Sequence, residues 1–222
     1  VLSFALPEIS QELRPTGNQL MWIVDLYALM LAGLLIAMGS LGDRIGRRKL
    51  LIIGSIGFGL ASALAAFSTS AEMLIVARAL LGFFGATLMP STLSLIRNIF
   101  TNDRDRRLAI ATWAAMFSGG AVLGPVVGGY LLEHFWWGSV FLINVPLIIV
   151  FIPAALAVIP ESKDPNPGRF DPISIVLSLA VMVPLVFAIK HGASHGLDDI
   201  VLASLALGIG SGWMFVRRQR TS

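Results

Sequence analysis

Two ionisable side chains, Asp25 and Arg78, lie inside long apolar runs at 19–41 and 71–96. A charge at such a position in a membrane helix costs about 2.5–3.5 kcal/mol on insertion scales, so function or a partner must hold it there. Asp25 is about six residues in from one end of its run and Arg78 about seven from the matching end of its own; at 1.5 Å per residue both sit roughly 9–11 Å deep. At that shared depth the two can face one polar cavity, where a carboxylate can recognise a cation or carry a proton. A structural ion pair that only fixes helix packing is the competing reading. Glu133 is borderline, at the outer end of its helix.

A second cluster is cationic. Gly39-Ser40-Leu41-Gly42-Asp43-Arg44-Ile45-Gly46-Arg47-Arg48-Lys49 joins two apolar runs and sets Arg44, Arg47, Arg48 and Lys49 close together. These cations cannot lie in hydrocarbon, and the positive-inside bias pins the turn to the cytoplasmic face. The glycines let two helix ends approach closely, and Asp43 is a partner among the cations. Such a cluster is about a membrane thickness from Asp25 and is expected to gate rather than bind. Its pairs hold one conformation closed and must break in the other.

Helices must position these residues. The chain is 222 residues long, 56% apolar and 13% charged, with a mean hydropathy of +0.82. A soluble domain is about half apolar, so the composition predicts an all-α polytopic membrane protein. The pI near 9.8 would suit a nucleic-acid partner, but the cations cluster at helix ends on one side, so none is expected. Without cysteine there is no disulfide, thiol chemistry or cysteine-ligated metal. No G-x-x-x-x-G-K-S/T run appears, so energy from ATP is unsupported. Neither metal, cofactor nor enzymatic activity is expected.

A span needs about 20 apolar residues, which predicts seven complete segments, at 19–41, 49–68, 71–96, 107–132, 138–159, 172–190 and 199–216. Val1 to Leu6 reads as the tail of a helix cut off upstream, not as a signal peptide. Pro90 is expected to kink the third segment. The proline-rich, charged stretch Pro160 to Pro172 divides the chain into an N-terminal bundle (1–160), a cytoplasmic linker (161–171) and a final helix pair (172–222). If 42–49 is inside, alternation puts 97–107, the linker and the tail inside too. Thirteen cations then lie inside (Arg44, Arg47, Arg48, Lys49, Arg97, Arg104, Arg106, Arg107, Lys163, Arg169, Arg217, Arg218 and Arg220) against Arg14 and Lys190 outside. That split supports the topology. Trp136 and Trp137 read as interfacial belt residues, and His191 and His195 as solvated loop flanks.

In the 107–132 segment, Gly120, Gly124 and Gly128 recur every four residues and strip one face to backbone, with Pro125 bending the helix there and Gly129 adjoining. Such a face can seal against a second half of the molecule during alternating access, pack simply inside one half, or do both.

The pattern G-x-x-x-D-R-x-G-R-R at 39–48 resembles the loop between helices 2 and 3 of the major facilitator superfamily. Ala5-Leu6-Pro7, Leu20 to Tyr27, Arg78-Ala79-Leu80-Leu81-Gly82-Phe83-Phe84-Gly85-Ala86, Gly120 to Gly129 and Phe141-Leu142-Ile143-Asn144-Val145-Pro146 extend the likeness over essentially the whole chain. Together they resemble the fourteen-helix drug:proton antiporter branch. That resemblance implies the N-terminal six-helix half, with helix 1 truncated, followed by the extra helix pair (helices 7 and 8), and a C-terminal half beyond residue 222. Ala5-Leu6-Pro7 would close helix 1. Gly120 to Gly129 would be the antiporter motif of helix 5, and Gly39, Asp43, Arg44, Gly46, Arg47 and Arg48 the gating motif. Asp25 would match an acid used for cation recognition or protonation, and Arg78 an arginine linked to proton transfer. A fixed cation keeps a nearby carboxylate ionised, and withdrawing it lets burial favour the neutral acid.

The helices that line the pore in this family would present Trp22, Tyr27, Met30, Met89, Trp113, Met116 and Phe117 to large lipophilic cations. The implied protein is a monomer of the bacterial cytoplasmic membrane. It exports cationic drugs, dyes and quaternary ammonium compounds against proton entry. A transporter of another solute on the same scaffold, and a non-transporting membrane scaffold or sensor, are the competing functions.

Overall fold

The computed structural model describes residues 2–163, 172–196 and 198–221, excepting the side chains of 172, 174, 175, 190, 193–195 and 219–221. Its regular structure is helical: α1 (Leu2–Leu13), α2 (Gly17–Ile45), α3 (Arg47–Ala66), α4 (Ala71–Ile99), α5 (Asp103–His134), α6 (Ser139–Leu142), α7 (Asn144–Val158), α8 (Pro172–His195) and α9 (Asp199–Thr221). Among the described residues six helical stretches are long and apolar enough to cross a membrane: 17–45, 47–66, 71–99, 103–134, 139–158 and 199–218. The predicted 172–190 span falls within α8, where the apolar run over described residues is Val176–Ile189. The linker beyond Lys163 and Arg169 lie outside the described residues.

Polar residues set where helices begin. Thr16 and Gln19 form a capping box at α2, with the Thr16 amide donating to Gln19 Oε1 at 2.8 Å and the Gln19 amide to Thr16 Oγ1 at 3.3 Å. Ser70 caps α4 by accepting from the Met73 amide at 3.2 Å, and Asn102 caps α5 by accepting from the Arg104 amide at 2.9 Å. Asp103 and Asp105 add favourable charge to the first turn of α5.

The core is built on close approach of α2, α3 and α4. Ile23, Ala65, Leu74, Ala77 and Leu81 are buried together with Ala5 and Ile9 of α1. Small residues permit this contact, as expected where helices associate by packing rather than by exclusion of water. Gly128 is the one buried residue of α5, so this helix lies against the bundle by few contacts.

Four expectations change. The basic turn shrinks to one residue, because α2 continues through Asp43 and Arg44 and only Gly46 interrupts it. Helix 1 does not close at Pro7. It runs on to Leu13, since Ile9 is fully buried and Glu12 accepts a hydrogen bond from the Trp137 indole. Trp137 is therefore a core residue, 3% exposed, whereas Trp136 stays exposed near Phe67. His191 is not simply solvated: it stacks on Phe187 and lies 3.2 Å from Asp198. Asp198 in turn caps α9, accepting from the Val201 amide at 2.8 Å, and that hydrogen bond is the main cause holding its carboxyl below the usual carboxylate range.

The two ends of the bundle follow the predicted alternation. Residues 46–49, Asn98 and 159–162 meet at one end. Gln19 with Glu72, and Glu12 with Trp137, meet at the other. Asp105, exposed at the cationic end, gives a direct test. Asp105→Cys is expected to react with an impermeant thiol reagent only in inverted vesicles, and Thr69→Cys only in whole cells. Labelling of position 105 in whole cells would invert the topology.

Candidate functional site: an arginine clasp and an inner charge cluster

Arg78 is 8% exposed on α4 and grips the backbone of α2. Its Nε donates to the Ile23 carbonyl at 2.7 Å and its Nη2 to the Val24 carbonyl at 3.1 Å. The guanidinium carbon lies 4.6 Å from the centre of the Tyr27 ring. Three neutral partners thus hold a buried charge that also feels the Asp25 carboxylate, and the planar, multi-donor guanidinium is the side chain suited to this.

The close approach comes from Gly82, one helical turn further along α4. A Cβ there would lie 2.6 Å from the Tyr27 carbonyl oxygen and 2.6 Å from Met30 Cβ. The Arg78-to-Gly82 spacing therefore acts as a unit: the glycine brings the backbones together and the arginine binds across them.

Arg78 and Tyr27 face a cavity of about 500 Å³. Gly120, Gly124 and Gly128 of α5 line its other side, with Asn144 of α7. Along the stripe Gly128 is buried, Gly124 half-buried and Gly120 exposed with open space beside it, so it lines this cavity at one end and stays uncovered at the other. Gly129 has open space beside it, and Pro125 is exposed. A second cavity of about 330 Å³, between α3, α4 and α7, shares Phe58, Asn144 and Leu147 with the first. Asn144 Nδ2 donates to Ser62 Oγ at 3.2 Å, so one polar contact stands at the partition.

Asp25 does not join this cavity. It is two residues from Tyr27, about 200° around the helix at 3.6 residues per turn, and lies on the flank of α2 that carries Trp22 and Leu29. It is half-buried there and engaged within the fold. Helix α8 covers the neighbouring surface: Trp22 stacks on Phe187 at 6.2 Å, and Ser178 Oγ donates to the Gly33 carbonyl at 2.8 Å. Arg78 nevertheless grips the turn of α2 that leads into Asp25, through Ile23 and Val24, and the two opposite charges act on each other across it. Depth follows from chain position, but facing follows from helix rotation.

The remaining candidates scatter. Met30 packs beside Leu34, Met38 and Ala86, and Met89 is half-buried on α4. Trp113 stacks on Phe117 at 6.0 Å on the open side of α5, where Met116 is 72% and Phe117 60% exposed. Of the seven aromatic and methionine candidates, only Tyr27 lines the cavity that holds Arg78.

The inner cluster is tightly organised. Asp43 pairs with Arg47 one turn away, and Arg47 is 9% exposed. Gly39 is half-buried near Pro90, and Gly42 is packed against the Arg47 side chain. Gly46 takes φ +109°, a left-handed-side value that favours glycine. Arg44 lies beside it and is also engaged. Sequence reasoning missed Glu161 and Ser162, which reach this cluster from the far end of α7. Arg48 pairs with Glu161 at 4.0 Å and donates to the Ile159 carbonyl at 3.0 Å. No local pattern announces a contact made across 113 residues.

A bundle of apolar helices with a buried arginine clasp, an internal cavity and cationic residues gathered at one end defines a polytopic membrane transporter scaffold. Residues 1–217 match the model of the Major Facilitator Superfamily, and the chain belongs to that family. It is 60% identical over its full length to the multidrug efflux pump LfrA of Mycolicibacterium smegmatis, covering 44% of that protein. It is 42% identical over 99% of its length to the methyl viologen resistance protein SmvA of Salmonella typhimurium, again covering 44%. It is 34% identical over 90% of its length to the tetracenomycin C resistance and export protein of Streptomyces glaucescens, covering 37%. The chain thus spans less than half the length of these curated relatives. It is an N-terminal portion of the family's fold and a multi-pass protein of the bacterial cytoplasmic membrane.

Proposed function

We propose that the chain is the N-terminal part of a drug-efflux transporter that exports lipophilic cations in exchange for protons. The observation that carries this reading is the pair of charges retained inside apolar helices, a buried Arg78 facing a cavity beside Tyr27 and a half-buried Asp25 on the same α2. Both are costly to insert, which supports a functional role for each. The relatives named for multidrug efflux, methyl viologen resistance and tetracenomycin export support the substrate class. In this reading residues 1–160 form one half, 161–171 a cytoplasmic linker, and 172–222 the extra pair. A second half supplies the opposite wall of the substrate path. The working unit is a monomer driven by the proton gradient without a cofactor.

Full-length protein in proteoliposomes tests the proposal. An imposed pH gradient should drive uptake or release of a cationic dye, and collapse of that gradient by an ionophore should stop it. Dye movement independent of the gradient would reject proton coupling. Asp25 supplies a finer test, since losing one negative charge matters more to a doubly charged ligand. Asp25→Asn is expected to weaken transport of a divalent cation about tenfold more than that of a monovalent one, a difference of about 1.4 kcal/mol. Equal losses would assign Asp25 to proton handling or to packing.

A further inference from the structure

Helix α3 begins without a cap of its own. Its N-cap position is Gly46, which has no side chain to accept a hydrogen bond. The first turn of any helix leaves its leading amides without intrahelical acceptors. Here Leu50 finds the first one, the Gly46 carbonyl at 2.9 Å. The amides of Arg47, Arg48 and Lys49 are satisfied instead by the segment that leaves α7. Arg47 donates to the Ser162 carbonyl at 2.8 Å, Arg48 to Glu161 Oε1 at 3.0 Å and Lys49 to Glu161 Oε2 at 3.2 Å. One carboxylate therefore spans two successive amides at the positive end of the α3 dipole, the geometry that favours an anion there.

The niche is made by Gly46. A Cβ on it would lie 2.6 Å from Glu161 Oε1 and 2.7 Å from the carboxyl carbon, so any other residue would displace the carboxylate. Two further ties fasten the same strap. Arg48 Nη1 donates to the Ile159 carbonyl at 3.0 Å, and Asn98 Nδ2, at the end of α4, donates to Ser162 Oγ at 2.7 Å. The strap thus binds α3, α4 and α7 at the cationic end of the bundle, next to the Asp43–Arg47 pair.

We propose that the Ile159–Ser162 strap is a detachable cap for α3, with Glu161 as its positioning residue, and that its release is a step of the transport cycle. The second clause rests on the transporter reading given above. Glu161 is exposed overall and, among the described residues, its side chain is held through its carboxylate, so its bonds can be exchanged for water at modest cost, unlike those of a buried pair. Detachment frees three amides, one carboxylate and the Arg48 guanidinium together. It also loosens the attachment of the chain leading to α8 and α9, so the helix pair and the inner cluster move under one control.

Hydrogen–deuterium exchange on the full-length protein in nanodiscs reads the cap without any transport assay. Glu161→Ala is expected to raise exchange of the amides at 47–49 at least tenfold, while residues 60–65 at the far end of α3 stay unchanged. Glu161→Gln, which keeps one acceptor and loses the charge, should fall between. The release step is read with Asn98→Cys/Ser162→Cys in a cysteine-free background. Bridging the two thiols with a short bifunctional reagent should cut dye transport at least tenfold, and the unbridged double variant should transport normally. Unchanged exchange in Glu161→Ala overturns the cap. Normal transport by the bridged protein overturns the release step even when the cap is present. A wild-type protein that moves no dye instead defeats the transport reading and the release step with it, while the exchange result still decides the cap.

Discussion

Gly82→Leu is expected to eliminate folded protein from the membrane. The leucine Cβ alone would meet the Tyr27 carbonyl oxygen and Met30 Cβ at 2.6 Å, and the Leu31 amide nitrogen at 3.3 Å. Two of those three atoms are backbone and cannot rotate away. Relief requires α2 and α4 to separate, and that separation dismantles the most intimate helix contact in the bundle. Overpacking typically costs 1–3 kcal/mol where side chains can yield. Against rigid backbone the cost is larger, and it compares with a total stability of about 5–15 kcal/mol. Gly82→Ala places the same Cβ against the same backbone and should also destabilise strongly, short of leucine only by the clashes of the atoms beyond Cβ. Gly17→Ala, where no atom lies within 4 Å, is the control and should be silent. Size-exclusion profiles of detergent-solubilised protein before and after heating check all three. A wild-type profile for Gly82→Leu would show that the two helices are not in contact as described.

Arg78 substitutions are expected to have the largest effect on activity at preserved fold. Arg78→Ala leaves the Ile23 and Val24 carbonyls without the side-chain donor that now bridges them, and uncovers the Tyr27 ring. Dye efflux per molecule should fall about a hundredfold, which corresponds to roughly 2.7 kcal/mol of lost transition-state stabilisation. Arg78→Lys keeps the charge but replaces a planar fork by a point donor that cannot hold two carbonyls and a ring in one geometry. It should recover no more than about a tenth of wild-type efflux. Full recovery by lysine would mean that charge alone matters and that the bridge to α2 is incidental. The measurement is initial efflux rate in inverted vesicles, normalised to the amount of monodisperse protein, so that loss of fold and loss of function are separated.

These two positions also show what the sequence made legible. The apolar runs and the basic cluster at 42–49 are local patterns, and each maps onto a structural feature near its predicted place. Long-range facing is another matter. Asp25 and Arg78 share a depth because depth is counted along one helix. Asp25 does not line the cavity that Arg78 and Tyr27 face, because that depends on how α2 is rotated against α4 and α8. Trp137 looked interfacial from its position at a helix end, yet a carboxylate on α1 draws its indole into the core. Pro7 looked like a terminator, but burial of Ile9 and the tie at Glu12 carry α1 past it. The glycine stripe of α5 was readable as a bare face. Which surface it meets was not, since glycine carries no side chain to specify a partner.

The distance between α3 and its cap has a consequence for how the protein is made. Arg48 and Glu161 are 113 residues apart. At a synthesis rate of about 5–20 residues per second, the ribosome needs roughly 6–23 s to deliver the carboxylate after the amides it will hold. Throughout that interval α3 is already apolar enough to enter the bilayer, with its leading amides and four neighbouring cations facing the cytosol uncapped. Membrane threading and closure of the inner face are therefore separate events in biogenesis. The second waits until the last helix of the bundle has been inserted, which makes the strap a checkpoint for a completed bundle.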